Sequence, residues 1–456
     1  GTATTKGKGN RPEDWLDQFT GNTDENFRMG ISVVGRKAIR LFSGFYNSDI
    51  ILASPVGLRM ATGQEVGDGV NGDEEDEEDS LDGDAYDENA ALAEFGVNTK
   101  SEELQSRRRG QKEDTDFLTS IELCVIDQAD VFEMQNWQHV VDIMGAVNRK
   151  PLNIREEMDF GRIRNYFLVD GLARRFRQTL VFSQYASPFA NALSVPANSS
   201  RLNMAGFVSL RPAQYEGALT DVAVPGIAHK FVRVDEDEDL DGDADPRLRY
   251  FERNVMKALR RPEAAHTCVV VPSYLDFVSV RNLFRKAAAA RGETGLRAKG
   301  HPHKGMARRR GPDGSRANKR EPDQALFVCI SEYTDFTEVR RARSDFFVGR
   351  ARVLLLTERF YFYNRFRIRG IHRLVFYAPP QHANYYVELC NLTEVDGAVK
   401  AQASEDGAGA GAGGLSNLVL FSALDAGALE RLVGTSNAKH MLSARQTVFS
   451  VADSSR

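Results

Sequence analysis

Short runs of apolar residues alternate with stretches of helical spacing along the first half of the chain. The runs within Asp49–Ser54, Ser120–Asp127 and Gln178–Ser183 are short and almost continuously apolar, so they predict buried strands. Between the last two, Val131–Val147 has apolar residues at helical spacing and predicts a helix. Short apolar strands that alternate with helices are typical of α/β folds with a parallel sheet, and this fold class is predicted.

The same rhythm begins again in the second half, after an acidic stretch interrupted by Gly and Pro at Pro225–Arg247. The predicted strands there are Thr267–Val271, Ala325–Ile330, Ala351–Thr357 and Leu374–Tyr377. The predicted helices are Tyr274–Ala290, Phe336–Val348, His382–Leu392 and, after a Gly/Ala-rich stretch and the apolar run Leu415–Phe421, Ala423–Val433. Two successive α/β units, arranged in tandem, therefore follow from the pattern alone.

Charge is strongly segregated along the chain, although the net charge is only −5. Acidic residues concentrate in 68–88 and 235–245, whereas basic residues concentrate in 285–320 and 340–373. Without the two acidic runs the remainder of the chain is basic. That balance is typical of a protein that binds nucleic acid.

The pattern and composition together divide the chain into four segments. They are a partial first lobe at 1–225 with an acidic insertion at 63–116, an acidic linker at 226–246, a second lobe at 247–400 with a basic insertion at 291–322, and a Gly/Ala linker with a C-terminal extension at 401–456. Both insertions have few large apolar residues, so we expect them to be disordered. The chain begins GTATTKGKGN, without an initiator Met, which favours an internal start and a first lobe incomplete at its N-terminus.

Neither a metal site nor a membrane span is supported by the sequence. The cysteines lie far apart, without the paired spacing of a zinc site, and are predicted to be free thiols. Asp237, Asp239 and Asp241 match the first ligand positions of an EF-hand loop, but Leu248 stands where a bidentate Glu is required. No apolar run approaches the roughly 20 residues that cross a bilayer.

The tetrapeptide DQAD, Asp127–Asp130, stands at the end of the predicted strand LCVID. In nucleotide hydrolases a carboxylate at the end of a strand holds Mg²⁺, and a following Glu orients the attacking water. Asp127 suits the first role, but Gln128 cannot act as a base because its amide has no basic lone pair. A strand that ends in a turn with two Asp residues is equally consistent with this tetrapeptide alone.

Six segments, in order, resemble motifs of DEAD-box helicases. They are DIILASPVGLR, LCVIDQAD, LVFSQY, TCVVVPSYLDFVSVRNLF, FFVGRARVLLLTE and IRGIHRLVFYAPP. Together with FTGNTDENFRMGI and LLLTERFYFYNRFRIRG, they resemble the digestive organ expansion factor family, a helicase-derived family whose yeast member is a U-three small nucleolar RNA-associated protein. The resemblance implies two RecA-like lobes, and it implies vestigial DEAD-box positions at Asp127, Gln128, Ala129, Asp130 and Ser183.

Several positions depart from the DEAD-box pattern. Gln128 replaces the catalytic Glu, Tyr185 replaces the Thr of S-A-T, and Glu358 replaces the Asp of a T-D pair. Leu389 and Leu392 stand where arginine fingers would contribute about 10³–10⁵ to the rate. No Walker A sequence, GxxxxGK[ST], occurs in the chain. The prediction is therefore a pseudo-helicase with no catalytic residue, no cofactor and no small-molecule substrate.

Arginine and aromatic residues alternate over 340–373. Guanidinium groups pair with phosphates and stack on bases, and aromatic rings stack on bases too, so this composition favours RNA binding. In the DEAD-box relatives the corresponding helix and RG loop line the RNA path, which supports the same interpretation by analogy. The candidate RNA-binding residues are Arg340, Arg341, Arg365, Arg367, Arg369 and Arg373. A protein-docking or purely structural role for this face is the alternative.

The resemblance implies a non-catalytic assembly factor of the small-subunit processome, acting in nucleolar pre-ribosomal RNA processing and small ribosomal subunit biogenesis. The expected partners are pre-ribosomal RNA, the guide small nucleolar RNA and other processome proteins, with no membrane partner. Two other functions stay open. One is an active RNA-dependent ATPase whose P-loop lies upstream of Gly1, and the other is a protein-only scaffold.

Overall fold

The computed structural model describes residues 11–21, 25–35, 38–63, 114–152, 161, 163–169, 172–193, 207–234, 245–261, 264–290, 325–394 and 416–452. The chain divides into a smaller unit, Asp17–Arg211, and a larger unit formed by Gly1–Leu16 and Pro212–Arg456. Both units combine helices with β-sheet, and parallel strand pairs occur in each, so the predicted α/β class is confirmed. Among the described residues, no helix has the length and apolar character needed to pass through a membrane.

Several predicted features lie outside the described residues. They are nearly all of the acidic insertion, the whole of the basic insertion, the EF-hand-like aspartates and the Gly/Ala-rich stretch.

The described residues of the smaller unit form two separate small sheets. After α1 (Glu13–Phe19), which spans the boundary between the units, its elements are β1 (Arg28–Val34), β2 (Ala38–Leu41), β3 (Ile50–Ala53), α2 (Pro55–Ala61), β4 (Leu123–Ile126), α3 (Ala129–Gln135), α4 (Gln138–Val147), α5 (Ala173–Phe176), β5 (Gln178–Val181) and α6 (Pro188–Ala192). β1 pairs antiparallel with both β2 and β3, whereas β4 and β5 pair in parallel. Ile126 at the end of β4 packs against Val140 and Met144 of α4, so one face of the parallel pair is covered.

Two predictions for the smaller unit are wrong in detail. Val131–Val147 is not one helix, because Asn136 is extended (φ −152°) and its side chain accepts a hydrogen bond from the N–H of Gln138, which starts a new helix. The strands predicted to be buried are only half covered. Leu123 and Val125 of β4 are exposed, since the described helices pack on the opposite face of this strand.

The larger unit is built on one seven-stranded sheet. Its strands are β6 (Ala228–Arg233), β7 (Thr267–Val271), β8 (Ala325–Ile330), β9 (Ala351–Thr357), β10 (Arg373–Phe376), β11 (Ser416–Phe421) and β12 (Val448–Ala452). Their order is β12-β6-β11-β10-β7-β9-β8, and every pair is parallel except β12 with β6. The helices are α7 (Pro246–Tyr250), α8 (Met256–Leu259), α9 (Tyr274–Ala289), α10 (Phe336–Phe347), α11 (Glu358–Asn364), α12 (Ala383–Asn391), α13 (Ala426–Val433) and α14 (Thr435–Ser443).

Helices cover both faces of this sheet. On one face, Val353 of β9 belongs to a buried cluster with α9 and with Phe251, which lies between α7 and α8. On the other face, Phe376 of β10 packs against Tyr386 of α12, with ring centroids 4.8 Å apart. Phe346 of α10 is fully buried but lies outside the first cluster, so α10 belongs with α12 on the second face. Alternate residues of each strand thus face different helical layers.

Two segments predicted to lie outside the second lobe are parts of its sheet. The predicted linker 226–246 contains β6, because Phe231 and Val232 supply apolar side chains that are buried in the sheet. The predicted C-terminal extension 401–456 contributes β11 and β12, and β11 pairs with β10 on one side and with β6 on the other. Both predictions are therefore wrong at these strands. The acidic and Gly/Ala-rich residues beside them dominate the local composition, and this composition led to the prediction of linkers.

Candidate functional site

The DQAD tetrapeptide connects the end of β4 to the start of α3. Asp127 and Gln128 are exposed, and Gln128 adopts a left-handed conformation (φ 53°) that residues other than Gly rarely adopt. The N–H of Gln128 donates to Oδ1 of Asp127 at 3.0 Å. Ala129 and Asp130 are buried in the first turn of α3, and the N–H of Ala129 donates to the carbonyl of Phe182 at 2.9 Å.

Asp130 connects this turn to the end of β5. Its Oδ1 accepts a hydrogen bond from the hydroxyl of Ser183 at 3.4 Å and from the N–H of Gln184 at 3.2 Å. β4 and β5 are parallel neighbours, so their carboxyl ends meet at one edge and all the predicted vestigial positions come together there. Asp127 faces solvent, and the described residues contain no group of three or more His, Cys, Asp or Glu side chains placed to hold a metal ion.

The two positions that the DEAD-box resemblance assigns to arginine fingers carry leucine side chains. Leu389 is fully buried in α12, and Leu392 is half-buried just after the end of this helix. Both side chains are apolar, so neither can neutralise charge on a transferring phosphate.

A different surface of the larger unit gathers arginine side chains. On α10 the stripe that contains Val339 and Phe346 is buried, whereas Phe336 and Arg340 are exposed. Arg343 follows Arg340 by three positions, which places the two guanidinium groups on the same side of the helix. The helix thus packs one stripe into the core and presents an arginine-bearing stripe beside it.

The chain after α11 runs along this arginine-bearing stripe. The ring of Phe366 lies 6.5 Å from that of Phe336, near the start of α10. Nη2 of Arg343 donates to the carbonyl of Arg367 at 3.0 Å. Gly370 (φ 77°) packs against the last residue of α10, where a Cβ would lie 3.3 Å from the aromatic ring, so both its conformation and its close contact favour glycine.

Arg367 and Arg369 are exposed on either side of Ile368, which is buried. The basic strip is defined as Arg340, Arg343, Arg367 and Arg369. None of these four forms an ion pair with a carboxylate in the part of the chain that the structure describes. Burial, and then the neighbouring Arg369 cation, lower the pKa of the Arg343 guanidinium. The strip is therefore a group of positive charges that the described protein does not neutralise.

Arg365 was predicted to bind RNA, and this prediction is wrong. Its side chain is buried and pairs with Glu388 of α12 and with Asp14 of α1, the latter at 2.5 Å. The cause is local, since Arg365 ends α11 in a left-handed conformation (φ 40°), and the carboxylate of Glu388 accepts its hydrogen bond. This arginine holds the larger unit together and is not available to a ligand.

The remaining candidates differ in their positions. Arg341 is exposed one residue further round α10 than Arg340, about 100° away, so it lies beside the basic strip. Arg373 is half-buried at the first position of β10, opposite Thr267 of β7. Arg343 was not among the residues singled out from the sequence, although its spacing of three from Arg340 could have identified it.

The chain matches two family models over most of its length. The model described as "UTP25, NTP hydrolase-like domain" matches residues 2–82 and 96–208, and the model described as "Utp25, C-terminal domain" matches 219–294 and 316–451.

Three similar proteins are named as U3 small nucleolar RNA-associated protein 25 or its homolog. "U3 small nucleolar RNA-associated protein 25 homolog" of Homo sapiens is 32% identical over 438 residues, which are 96% of this chain and 45% of that protein. The Xenopus tropicalis homolog is also 32% identical, over 96% of this chain and 44% of its own length. "U3 small nucleolar RNA-associated protein 25" of Neurospora crassa is 34% identical over 98% of this chain and 48% of its own length. The chain thus spans about half the length of these curated relatives.

Solved structures with detectable similarity include DEAD-box proteins. The E. coli DEAD-box protein SrmB, bound to regulator of ribonuclease activity A, has a TM-score of 0.27 and 13% identity, over 46% of this chain and 84% of that chain. A DEAD box protein from Methanococcus jannaschii has a TM-score of 0.26 and 11% identity, over 69% of this chain and 59% of that chain.

Proposed function

Because the chain belongs to the UTP25 family, we propose that it is a non-catalytic assembly factor of the small-subunit processome that binds RNA through the basic strip. It would act in the nucleolus, in pre-ribosomal RNA processing and small ribosomal subunit biogenesis. The proposed partners are U3 small nucleolar RNA, pre-ribosomal RNA and other processome proteins. The name shared by the relatives supports the process, and the basic strip supports the contact with RNA.

The non-catalytic part of the proposal depends on three positions. Gln128 occupies the place of the base, and its amide cannot accept a proton at neutral pH. Leu389 and Leu392 occupy the places of the charges that would stabilise the transition state. Loss of both kinds of group favours a protein that uses a helicase-like fold without turnover.

The RNA-binding part rests on the basic strip, which is the observation that carries the proposal. Arg340 and Arg343 lie on α10, and Arg367 and Arg369 lie on the adjoining segment, where the carbonyl of Arg367 accepts a hydrogen bond from Arg343. None of the four has a carboxylate partner among the described residues. A row of unneutralised cations is costly for the protein alone, because like charges repel. Phosphates of a nucleic-acid backbone relieve this repulsion and release counterions.

The salt dependence of RNA binding tests this proposal. Replacing Arg367→Gln and Arg369→Gln together should make the log–log salt slope shallower by about 1.4, since each lost phosphate contact on a single strand removes about 0.7. Filter binding at several salt concentrations measures the slope. The matched control is Arg253→Gln with Lys257→Gln, because both side chains are exposed on the helical layer against the other face of the sheet. This control pair should keep the slope.

Three outcomes would contradict the proposal. A chain that binds no RNA would be a protein-only scaffold. RNA-stimulated ATP hydrolysis that Asp127→Ala abolishes would make the protein an active ATPase. An unchanged salt slope with a lowered melting temperature in the Arg367 and Arg369 variant would make those arginines structural.

A further inference from the structure

The residues before and within α1 add a fifth arginine to the surface of the basic strip. The indole N–H of Trp15 donates to the carbonyl of Tyr363 at 3.0 Å, and Asp14 pairs with Arg365. These contacts join the start of α1 to the last turn of α11 and to Arg365 just after it, all within the larger unit. As a result, Arg11 lies beside Phe366, 355 positions away along the chain (366 − 11).

Arg11 forms cation–π contacts with two aromatic rings. Its guanidinium carbon lies 3.8 Å from the ring centroid of Trp15 and 5.2 Å from that of Phe366. The guanidinium of Arg343 lies 4.5 Å from the same Phe366 ring, so two cations contact one aromatic side chain.

The row continues along α10. Arg340 lies 4.5 Å from the ring centroid of Phe336, and the rings of Phe336 and Phe366 are 6.5 Å apart. This set of aromatic and cationic side chains, joined by cation–π contacts and by the contact between the rings of Phe336 and Phe366, is called the cation–π ladder. Its members are Trp15, Arg11, Phe366, Arg343, Phe336 and Arg340.

Stacking determines how these arginines can meet a ligand. A guanidinium group that lies on an aromatic ring uses its flat face, while its five N–H donors point outward in the plane of the group. Those donors match the oxygens of a phosphate, whereas the occupied face is closed to a nucleobase. In the described part of the chain, neither Arg11 nor Arg343 pairs with a carboxylate. Both can therefore donate to phosphates without first breaking an ion pair.

Phe336 of α10 and Phe366, which follows α11, both contact arginines of α10, but they differ in exposure. Phe366 contacts two guanidinium groups and is half-buried, whereas Phe336 contacts one and is 52% exposed. An exposed ring next to cations is a stacking platform for a base. A single strand can present an unstacked base with a free face, whereas a duplex keeps its bases stacked on each other.

Building on the proposed function, we propose that the cation–π ladder is a binding site for single-stranded RNA. Arg11, Arg343 and Arg340 hold successive phosphates, and Phe336 stacks a base. The site thus combines α10 with a segment from the other end of the larger unit's chain.

The first test compares a single-stranded RNA oligonucleotide with a duplex of the same sequence and length. The intact chain should bind the single strand more tightly. Phe336→Ala should weaken single-strand binding by about five- to a hundredfold, the range for loss of one stacked base, and should leave duplex binding unchanged. Phe336→Trp keeps an exposed ring and should retain the affinity. Equal affinity of the intact chain for both RNAs, or equal loss with both in Phe336→Ala, would overturn the proposal.

The second test separates charge from stacking at Arg11. Arg11→Gln should make the single-strand salt slope shallower by about 0.7. Arg11→Lys keeps the charge and should keep the slope, but it should bind more weakly because an ammonium lacks the planar donor set. Arg253→Gln is the matched control and should change neither quantity.

Failure of this inference is distinguishable from failure of the proposed function. If the Arg367 and Arg369 variant loses RNA affinity while Arg11→Gln and Phe336→Ala do not, the basic strip binds RNA and the ladder assignment is wrong. If the intact chain binds neither RNA, the proposed function itself is wrong.

Discussion

The DQAD turn of the smaller unit and the basic strip of the larger unit both contain residues that the sequence marks as candidates, yet they differ in what their side chains can do. In the turn, the amide of Gln128 leaves no base, although Asp130 still forms the hydrogen bonds that shape the turn. In the strip, four arginines are carried by α10 and by the segment that Arg343 of α10 contacts. The comparison teaches that catalysis can be lost with a single proton-accepting group. Electrostatic binding is instead a sum over many charged side chains, so it persists when one of them is lost.

The largest expected change in stability distinguishes Arg365 from Arg367, which lies two positions later. Arg365→Ala should lower the free energy of unfolding by about 3 kcal/mol or more, because it leaves the partly buried Glu388 without its cation. Arg367→Ala removes an exposed side chain and should change stability by less than about 0.5 kcal/mol. Urea unfolding of both variants measures the difference. Equal destabilisation would mean that the strip is structural as well.

A second prediction concerns Glu358, at the position that the DEAD-box resemblance assigns to the Asp of a T-D pair. Burial raises the pKa of this carboxyl to about 7 from its ordinary 4.5, against the opposing N–H groups of His382 and Gln381 and the cation of Arg431. The folded protein holds this proton more tightly than the unfolded chain does. The contribution of protonated Glu358 to the free energy of unfolding is therefore fully present below pH 4.5. This contribution is lost as pH rises through about 7, so that by pH 8 the free energy of unfolding has fallen by about 3 kcal/mol.

Glu358→Gln tests this dependence because its amide carries no titrating proton. The free energy of unfolding, measured in urea at pH 5 and pH 8, should fall less between the two values in Glu358→Gln than in the unmodified chain. If both proteins lose the same stability over this range, another group is responsible.

The smallest expected effect lies within the DQAD turn itself. Asp130→Ala leaves the hydroxyl of Ser183 and the N–H of Gln184 without their acceptor and should cost about 1–2 kcal/mol. Asp127→Ala changes an exposed side chain and should cost less than about 0.5 kcal/mol. Thermal melts compare the two variants, and ATP turnover should stay at the level of a blank in both. A larger loss for Asp127→Ala would give that carboxylate a role that its exposure does not explain.

Local pattern was sufficient to predict much of the larger unit. The strands Thr267–Val271, Ala325–Ile330 and Ala351–Thr357 have the predicted bounds, because continuous apolar runs between polar turns are unambiguous. The exposed arginines of α10 and of the segment after α11 were also identified from composition. In these places a local property, hydrophobicity or charge, determines the outcome.

Contacts between distant parts of the chain could not be predicted in the same way. Arg365 and Arg367 have the same side chain and similar neighbours, and only the position of Glu388 and Asp14 in space makes one buried and the other free. Arg11 belongs to the ladder because α1 packs beside Phe366. The strand within 226–246 was missed because its pairing partner, β11, lies far away in the sequence.

The place of β11 in the sheet has a consequence for how the protein is made. Ala228 of β6 pairs with Ser416 of β11, which is 188 positions later (416 − 228), and β6 has its other neighbour in β12. At about 5–20 residues per second, translation takes roughly 10–40 s to cross this gap. During that time β6 has neither of its strand partners, and its unpaired edges are open to association with other chains. A nascent chain of this protein is therefore expected to need chaperones for longer than one whose strands pair in order of synthesis.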